Sequence, residues 1–383
     1  MRIVVAPDSF KGSVSAVDVA NAMEKGILLV FPDAEVIKVP IADGGEGTIE
    51  ALIVATGGQL IAQKVTGPLG DSVEAHWGIL GDGETAVIEM AAASGLLLVP
   101  SEKRDPRMTT TYGTGQLITA ALDRGIRKLI IGIGGSATND GGMGMAQALG
   151  VDFLDRAGNS LLSGGSALGE LVEIDISRID SRLAEATIVV ACDVDNPLCG
   201  PRGASAVYGP QKGATIEMVA ELDTALANYA SIAKKATGND VAETPGAGAA
   251  GGLGAGLLLF TNAKLQIGVD IVLEAVRFSD IVKTSSFVIT GEGCTDYQTA
   301  YGKAPVGVAR IAKDHHVPTL CLSGSLGTRY EEVLACGISG VMSIIPRPME
   351  LADCMACAPE LIQAATERLC QVVKTGIEIE IRK

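Results

Sequence analysis

The chain predicts an α/β protein of two domains, with a parallel sheet assembled from both ends of the sequence and a second α/β domain inserted between them. Three observations carry this. At 383 residues the chain exceeds what one ordinary hydrophobic core organises, so two domains are expected. Apolar residues make up 47% and aromatics only 3%, which suits buried parallel strands covered by helices better than a β-sandwich. Short apolar runs that end in polar glycine turns and continue as helical patterns recur near both termini. That alternation is the grammar of a parallel sheet with right-handed crossovers.

Taken in order, residues 3–6 read as a first strand ending in the turn Pro7-Asp-Ser-Phe-Lys-Gly12. Ser15 and Asp18 have capping-box spacing, and a helix follows to about residue 29. A second strand at 36–40 leads into Asp43-Gly-Gly-Glu-Gly47 and a helix that stops at Gly57 and Gly58. The middle reads differently. Strand-like segments at 60–65, 73–80 and 85–90 leave no room for helices between them. A helix at 114–124, a strand at 128–133 and a helix after Gly142 come next, then a strand at 187–191, a helix at 216–236 and a glycine-rich stretch at 246–256. Alternation returns with strands at 287–290, 319–323 and 341–345 and helices at 304–315 and 358–374. The likeness of the two ends assigns 1–68 with 287–383 to one discontinuous domain and 69–286 to the inserted one, with the active site expected in the cleft between them.

Charge and cysteine content exclude several classes. A formal charge of −15 without any Lys/Arg-rich run speaks against a nucleic-acid surface, because phosphate contacts need clustered cations. Eight scattered cysteines and three histidines in a chain of this size read as reduced thiols in a cytoplasm rather than disulfides or a zinc site. The apolar start is too short for a signal peptide, and the stretch 252–260 falls well below the roughly 18 apolar residues of a membrane span. A cytoplasmic protein, monomeric or a small homo-oligomer, with no membrane or nucleic-acid partner is expected.

The most informative segment is Leu129-Ile-Ile-Gly-Ile-Gly-Gly-Ser-Ala-Thr-Asn-Asp-Gly-Gly142. A strand feeds a glycine turn carrying Gly134, Gly135, Ser136, Thr138, Asn139 and Gly141, whose backbone N–H groups can approach phosphate closely. Asp140 is a candidate cation ligand there; packing alone is the competing reading. In open parallel sheets ligands bind outside the carboxyl ends of strands. That rule gathers Asp8 and Lys11 from the first turn, Asp43 from the second, and Asp296 from Thr290-Gly-Glu-Gly-Cys-Thr-Asp-Tyr-Gln-Thr299. Helix capping competes for Asp8 and Asp43. Asp193 and Asp195 alternate at a strand end, and Asp193 is the preferred ligand for Mg²⁺, which takes one or two carboxylates plus phosphate. Lys212, isolated among glycines, reads either as an anion contact or as a solvated surface lysine. Two segments, 132–137 and 246–251, match the loose dinucleotide fingerprint, the first with Asp152 about twenty residues on as a ribose-binding acid, so a nicotinamide-dependent oxidoreductase stands as a rival. Neither a P-loop nor a protein-kinase motif set occurs.

These blocks together resemble the type 1 glycerate kinase family of bacteria. The resemblance rests on Ala6-Pro-Asp-Ser-Phe-Lys11, Ala42-Asp-Gly-Gly-Glu-Gly-Thr48, Ile88-Glu-Met-Ala-Ala-Ala-Ser-Gly95, the 133–142 loop, Ala191-Cys-Asp-Val-Asp-Asn-Pro-Leu198, Tyr208-Gly-Pro-Gln-Lys-Gly213, Pro245-Gly-Ala-Gly-Ala-Ala-Gly-Gly252 and Thr290-Gly-Glu-Gly293. It runs in order over nearly the whole chain. It implies ATP-dependent phosphorylation of D-glycerate at the 2-hydroxyl, with D-glycerate and ATP as partners, and a Rossmann- or flavodoxin-like domain split by a second α/β domain. One departure stands out. The family reads Arg-Ile where this chain has Cys294-Thr295, so a permanently charged bidentate contact is absent there. A catalytically silent sensor of the same fold is therefore a further alternative. From residue chemistry, Asp296 is expected to accept the substrate hydroxyl proton, with Asp8 and Asp43 competing. Lys11 is expected to neutralise the moving phosphoryl group or the glycerate carboxylate.

Overall fold

The computed structural model describes residues 1–42, 45 and 47–381. Those residues carry thirteen strands, in chain order β1 (Arg2–Val5), β2 (Glu35–Lys38), β3 (Gln59–Thr66), β4 (Ser72–Ile79), β5 (Thr85–Glu89), β6 (Lys128–Gly132), β7 (Asp152–Leu154), β8 (Glu173–Asp175), β9 (Thr187–Ala191), β10 (Lys264–Gln266), β11 (Phe287–Thr295), β12 (Thr319–Leu326) and β13 (Ile338–Ser343). Contacts divide the chain into two units, Met1–Asp43 with Glu50–Gly57 and Val269–Lys383, and Gly44–Ile49 with Gly58–Gly268.

The first unit holds a five-stranded sheet of order β13-β12-β11-β1-β2, parallel throughout. Counted within the unit this is 2-1-3-4-5, the flavodoxin-like order. Ile3, Val5, Phe287, Ile289 and Leu322 are buried with Val19, Met23 and Ile27 of the helix Ala16–Val30 and Ile362 and Ala365 of the helix Ala358–Ile381. Ser15 caps the first of these helices as its sequence predicts, its hydroxyl accepting from the Asp18 amide at 3.1 Å and donating to the Asp18 carboxylate at 2.9 Å. The two helices cross closely because Gly26 has no side chain: a Cβ there would lie 2.5 Å from the Gln363 carbonyl oxygen. Strand order reverses between β1 and β11, so the turns after these two strands share one edge of the sheet.

The second unit holds a six-stranded sheet of order β10-β9-β6-β5-β4-β3. β3, β4 and β5 form an antiparallel meander, as their close spacing requires, and β5, β6, β9 and β10 are parallel. Trp77, Ile88, Leu117, Ile131, Val190 and Leu253 lie in its core. Two features depart from the sequence pattern. β7 and β8 pair as a small antiparallel sheet, too short to register as alternation. The glycine-rich stretch ends as helix Ala249–Phe260, interrupted near its start by left-handed backbone at Ala250, Gly251 and Gly252 (φ 53°, 69° and 88°). Only glycine fits at Gly251, where a Cβ would stand 1.9 Å from the Thr138 carbonyl oxygen. The helix therefore packs its backbone directly onto the 138–142 loop.

Candidate active site

In the first unit, the turns after β1 and β11 bring Asp8, Lys11 and Asp296 to the switch-point edge. The Asp8 amide donates to the Gly291 carbonyl at 2.8 Å, and its carboxylate accepts from the Ser9 amide at 2.6 Å. Lys11 is exposed, and a Cβ built at Gly293 would lie 3.5 Å from its backbone nitrogen. Asp296 ends β11 and caps the single 3₁₀ turn Tyr297–Tyr301, accepting from the Gln298 amide at 2.9 Å. Its carboxylate lies 3.8 Å from the Lys303 ammonium. Asp43 lies outside the described residues.

One residue of this edge was not singled out by sequence. Glu292 is only 6% exposed, and its Oε1 accepts from the hydroxyls of Thr299 at 2.7 Å and Thr295 at 3.0 Å. Burial pushes its carboxyl above the usual range, against those two hydrogen bonds and nearby Lys303. Thr295, which stands where the resemblance has Ile, is thus a buried donor, whereas Cys294 beside it is exposed. The sequence pattern ends this strand at 290 and takes Glu292 as part of the turn, whereas β11 continues through it to Thr295.

In the second unit, the loop after β6 divides in two. Gly134 and Gly135 are exposed. Ser136 is nearly buried, in a bridge with Gly95, and the Gly135 carbonyl accepts from Leu96 at 2.8 Å. Thr138, Asn139 and Asp140 are fully buried. The Asn139 amide donates to the Ser205 hydroxyl at 2.9 Å, and the Gly141 amide donates to the Gly251 carbonyl at 3.0 Å. The Asp140 carboxylate accepts from the amide and hydroxyl of Thr111, both at 2.8 Å, and from the amides of Gly142 and Gly144. Four donors occupy it, so the cation-ligand reading of Asp140 gives way to a bracing role; burial nonetheless pushes its pKa up. Lys212 is neither solvated nor aimed at an anion. It is 1% exposed and its ammonium donates to the Thr138 carbonyl at 2.6 Å. Burial brings its pKa down to about 7, with the charge of Asp140 pulling the other way. Thr138 Oγ1 and Asn139 Oδ1 are buried without a hydrogen-bond partner among the described residues, a cost that packing alone does not require.

Asp193 follows β9, is exposed, and its Oδ1 accepts from the Gly268 amide at 2.9 Å. Asp195 is held by the Arg202 guanidinium at 3.0 Å. Among the described residues no group of three or more His, Cys, Asp or Glu is placed to hold an ion. That is compatible with Mg²⁺, which keeps several waters and binds through one or two carboxylates plus substrate phosphate; of the two aspartates, Asp193 has the donor chemistry and the exposure for it.

A flavodoxin-like sheet with carboxylates and a lysine at its switch point, in one chain with a sheet that ends in a glycine loop, defines an α/β protein equipped for small polar ligands. Comparison with known proteins makes this particular. A sequence model described as the glycerate kinase family matches residues 3–374. The chain is 53% identical over 374 residues to the glycerate kinase of Bacillus subtilis (strain 168), covering 98% of each. It is 51% identical over 377 residues to the glycerate 2-kinase of Escherichia coli (strain K12), covering 98% of this chain and 99% of that one. A crystal structure of a Salmonella typhimurium LT2 protein, named as a candidate glycerate kinase 2, superposes with a TM-score of 0.89 at 48% identity, over 98% of this chain and 99% of that one. The chain belongs to the glycerate kinase family.

The nicotinamide reading is not supported, and the structure gives the reason. After β6 no helix starts at the fingerprint; the next begins at Met143, past the loop. Asp152, its ribose-binding acid, is instead ion-paired with Arg178. The fingerprint at 246–251 follows no strand. The silent-sensor reading likewise finds no support: the Bacillus subtilis and Escherichia coli relatives carry kinase names. Among the described residues no helix is long and apolar enough to cross a membrane.

Proposed function

We propose that the chain transfers the γ-phosphoryl group of ATP to the 2-hydroxyl of D-glycerate, giving 2-phospho-D-glycerate and ADP. Membership of the glycerate kinase family over residues 3–374 is the observation that carries this reading. The substrate oxygen forms the new P–O bond, the bond between the γ-phosphorus and the bridging oxygen breaks, and the hydroxyl proton passes to the Asp296 carboxylate. Asp8 and Asp43 are the competing acceptors.

Phosphoryl transfer asks a protein chiefly to position the reactants and neutralise charge. Gly134, Gly135 and Ser136 would meet the nucleotide phosphates through backbone N–H groups, with Thr138, Asn139 and Gly141 bracing the turn behind them. Lys11, on the same strand-end edge as Asp296, would meet the glycerate carboxylate, which sits next to the reacting hydroxyl. Asp193 would hold Mg²⁺, whose charge would offset that of the phosphates. Eight free thiols support a reducing, cytoplasmic setting.

The test is incubation with D-glycerate and MgATP, with the product identified by phosphorus NMR. The 2-phosphate with stoichiometric ADP is expected. The 3-phosphate would refute the regiochemistry, and no ADP formation would refute the kinase reading.

A further inference from the structure

Glu292 is the buried acid of the switch-point edge that the proposed reaction leaves unused. Its Oε1 is not merely paired. The Thr299 hydroxyl that donates to it at 2.7 Å also accepts from the Asp296 backbone amide at 3.2 Å. On its other side the Thr295 hydroxyl donates to the same oxygen at 3.0 Å, while the Thr295 amide donates to Ser323 Oγ on β12 at 2.9 Å. Thr295, Asp296 and Thr299 thus hang from one carboxylate oxygen, itself carried on β11 where Glu292 pairs with Ser323 of β12. Thr295 and Thr299 are fully buried, so water does not compete for these bonds. Asp296, by contrast, is partly exposed, as a group that meets substrate must be.

A cap alone does not need this. The Asp296 carboxylate already satisfies the Gln298 amide, and a 3₁₀ turn of five residues ordinarily forms without a buried ionisable group beneath it. Burying a carboxylate is costly unless its hydrogen bonds are good, so the arrangement marks a place where geometry matters more than stability.

We infer that Glu292 is a positioning residue for phosphoryl transfer: through the Thr299 hydroxyl it fixes the backbone of Asp296, and with it the direction of the carboxylate that takes the substrate proton. The inference rests on the proposed role of Asp296 as proton acceptor. The charged and titratable groups facing Glu292 are Lys303, Asp296 and the Cys321 thiol. None of them donates to Oε1 in place of the two threonines.

The test compares steady-state kinetics of the full-length chain and its variants, with thermal unfolding as a check on folding. Thr299→Val removes the bridging hydroxyl at constant volume and is expected to lower kcat about 10²-fold, as a misplacement of near 1 Å does, with KM for ATP unchanged. Thr299→Ser, which keeps the hydroxyl, restores the rate. Glu292→Leu, which removes the acceptor, is expected to lower kcat to a similar degree, and Glu292→Gln, which keeps an oxygen acceptor, to recover most of that loss. In an Asp296→Asn background Thr299→Val causes no further loss. A wild-type kcat in folded Thr299→Val, or an equal and independent loss in the Asp296→Asn background, would overturn the inference. A rate in Glu292→Gln no better than in Glu292→Leu would do the same, since charge rather than position would then be at work. A full rate in Asp296→Asn alone would instead remove the proton-acceptor reading beneath it.

Discussion

The two sheets end in turns of similar composition and use them in opposite ways. At the switch point of the first unit, Lys11 is exposed and Asp8 and Asp296 are partly so, their carboxylates accepting from the Ser9 and Gln298 amides. Beyond β6 in the second unit, Thr138, Asn139, Asp140 and Lys212 are enclosed, and only Gly134 and Gly135 stand open. A polar side chain in a glycine turn is therefore not by itself a ligand contact. In one unit such side chains reach solvent at the sheet edge; in the other they brace the loop's own backbone.

This contrast predicts different consequences for removing one acid from each region. Asp296→Asn should lower kcat by about 10²–10⁴-fold, the range of general-base catalysis, with an unfolding midpoint close to that of the wild type. A near-normal rate would shift the role to Asp8 or Asp43. Asp140→Ala should do the reverse. It strands four donors, one of them able to turn elsewhere, and should cost about 3 kcal/mol in a urea melt. A rate defect without a stability defect would return Asp140 to the ligand-facing group.

A further effect concerns pH. Lys212 has a folded pKa of about 7 against an ordinary 10.5, so between those values the unfolded chain binds more protons than the folded one. The wild-type contribution to stability should accordingly rise with pH across that window and lie flat below about 7. In Lys212→Met that slope is lost. Denaturant unfolding of both proteins at matched pH values measures it; parallel curves would mean that Lys212 keeps an ordinary pKa and that burial is compensated.

Much of this architecture was legible because strands and helices announce themselves by period and by caps. Ser15 and Asp18 marked a helix start that forms as written, and the turn with Asp8 and Lys11 falls at the carboxyl end of β1, whereas Gly291-Glu-Gly293, read as a turn, continues β11 to Thr295. What period does not encode is which way a loop residue faces. Thr138, Asn139 and Asp140 carry the same polarity whether they meet phosphate or the Thr111 backbone, and Lys212 read equally as an anion contact or a surface residue until the Thr138 carbonyl supplied its partner. The helix Ala249–Phe260 was hidden for a related reason. Its glycines serve a left-handed entry and contact with the neighbouring loop, so local propensity pointed away from helix. Glu292 escaped because the glycines on either side of it read as a turn, whereas β11 runs through them to Thr295 and buries it.

The central claim is that the exposed strand-end groups, Lys11 foremost, address the substrate directly. Initial rates of Lys11→Met over a matrix of D-glycerate and MgATP concentrations test it most directly. The account predicts a large fall in kcat/KM for glycerate with the unfolding midpoint intact. Wild-type kinetics in that variant would place Lys11 outside the site and contradict the account.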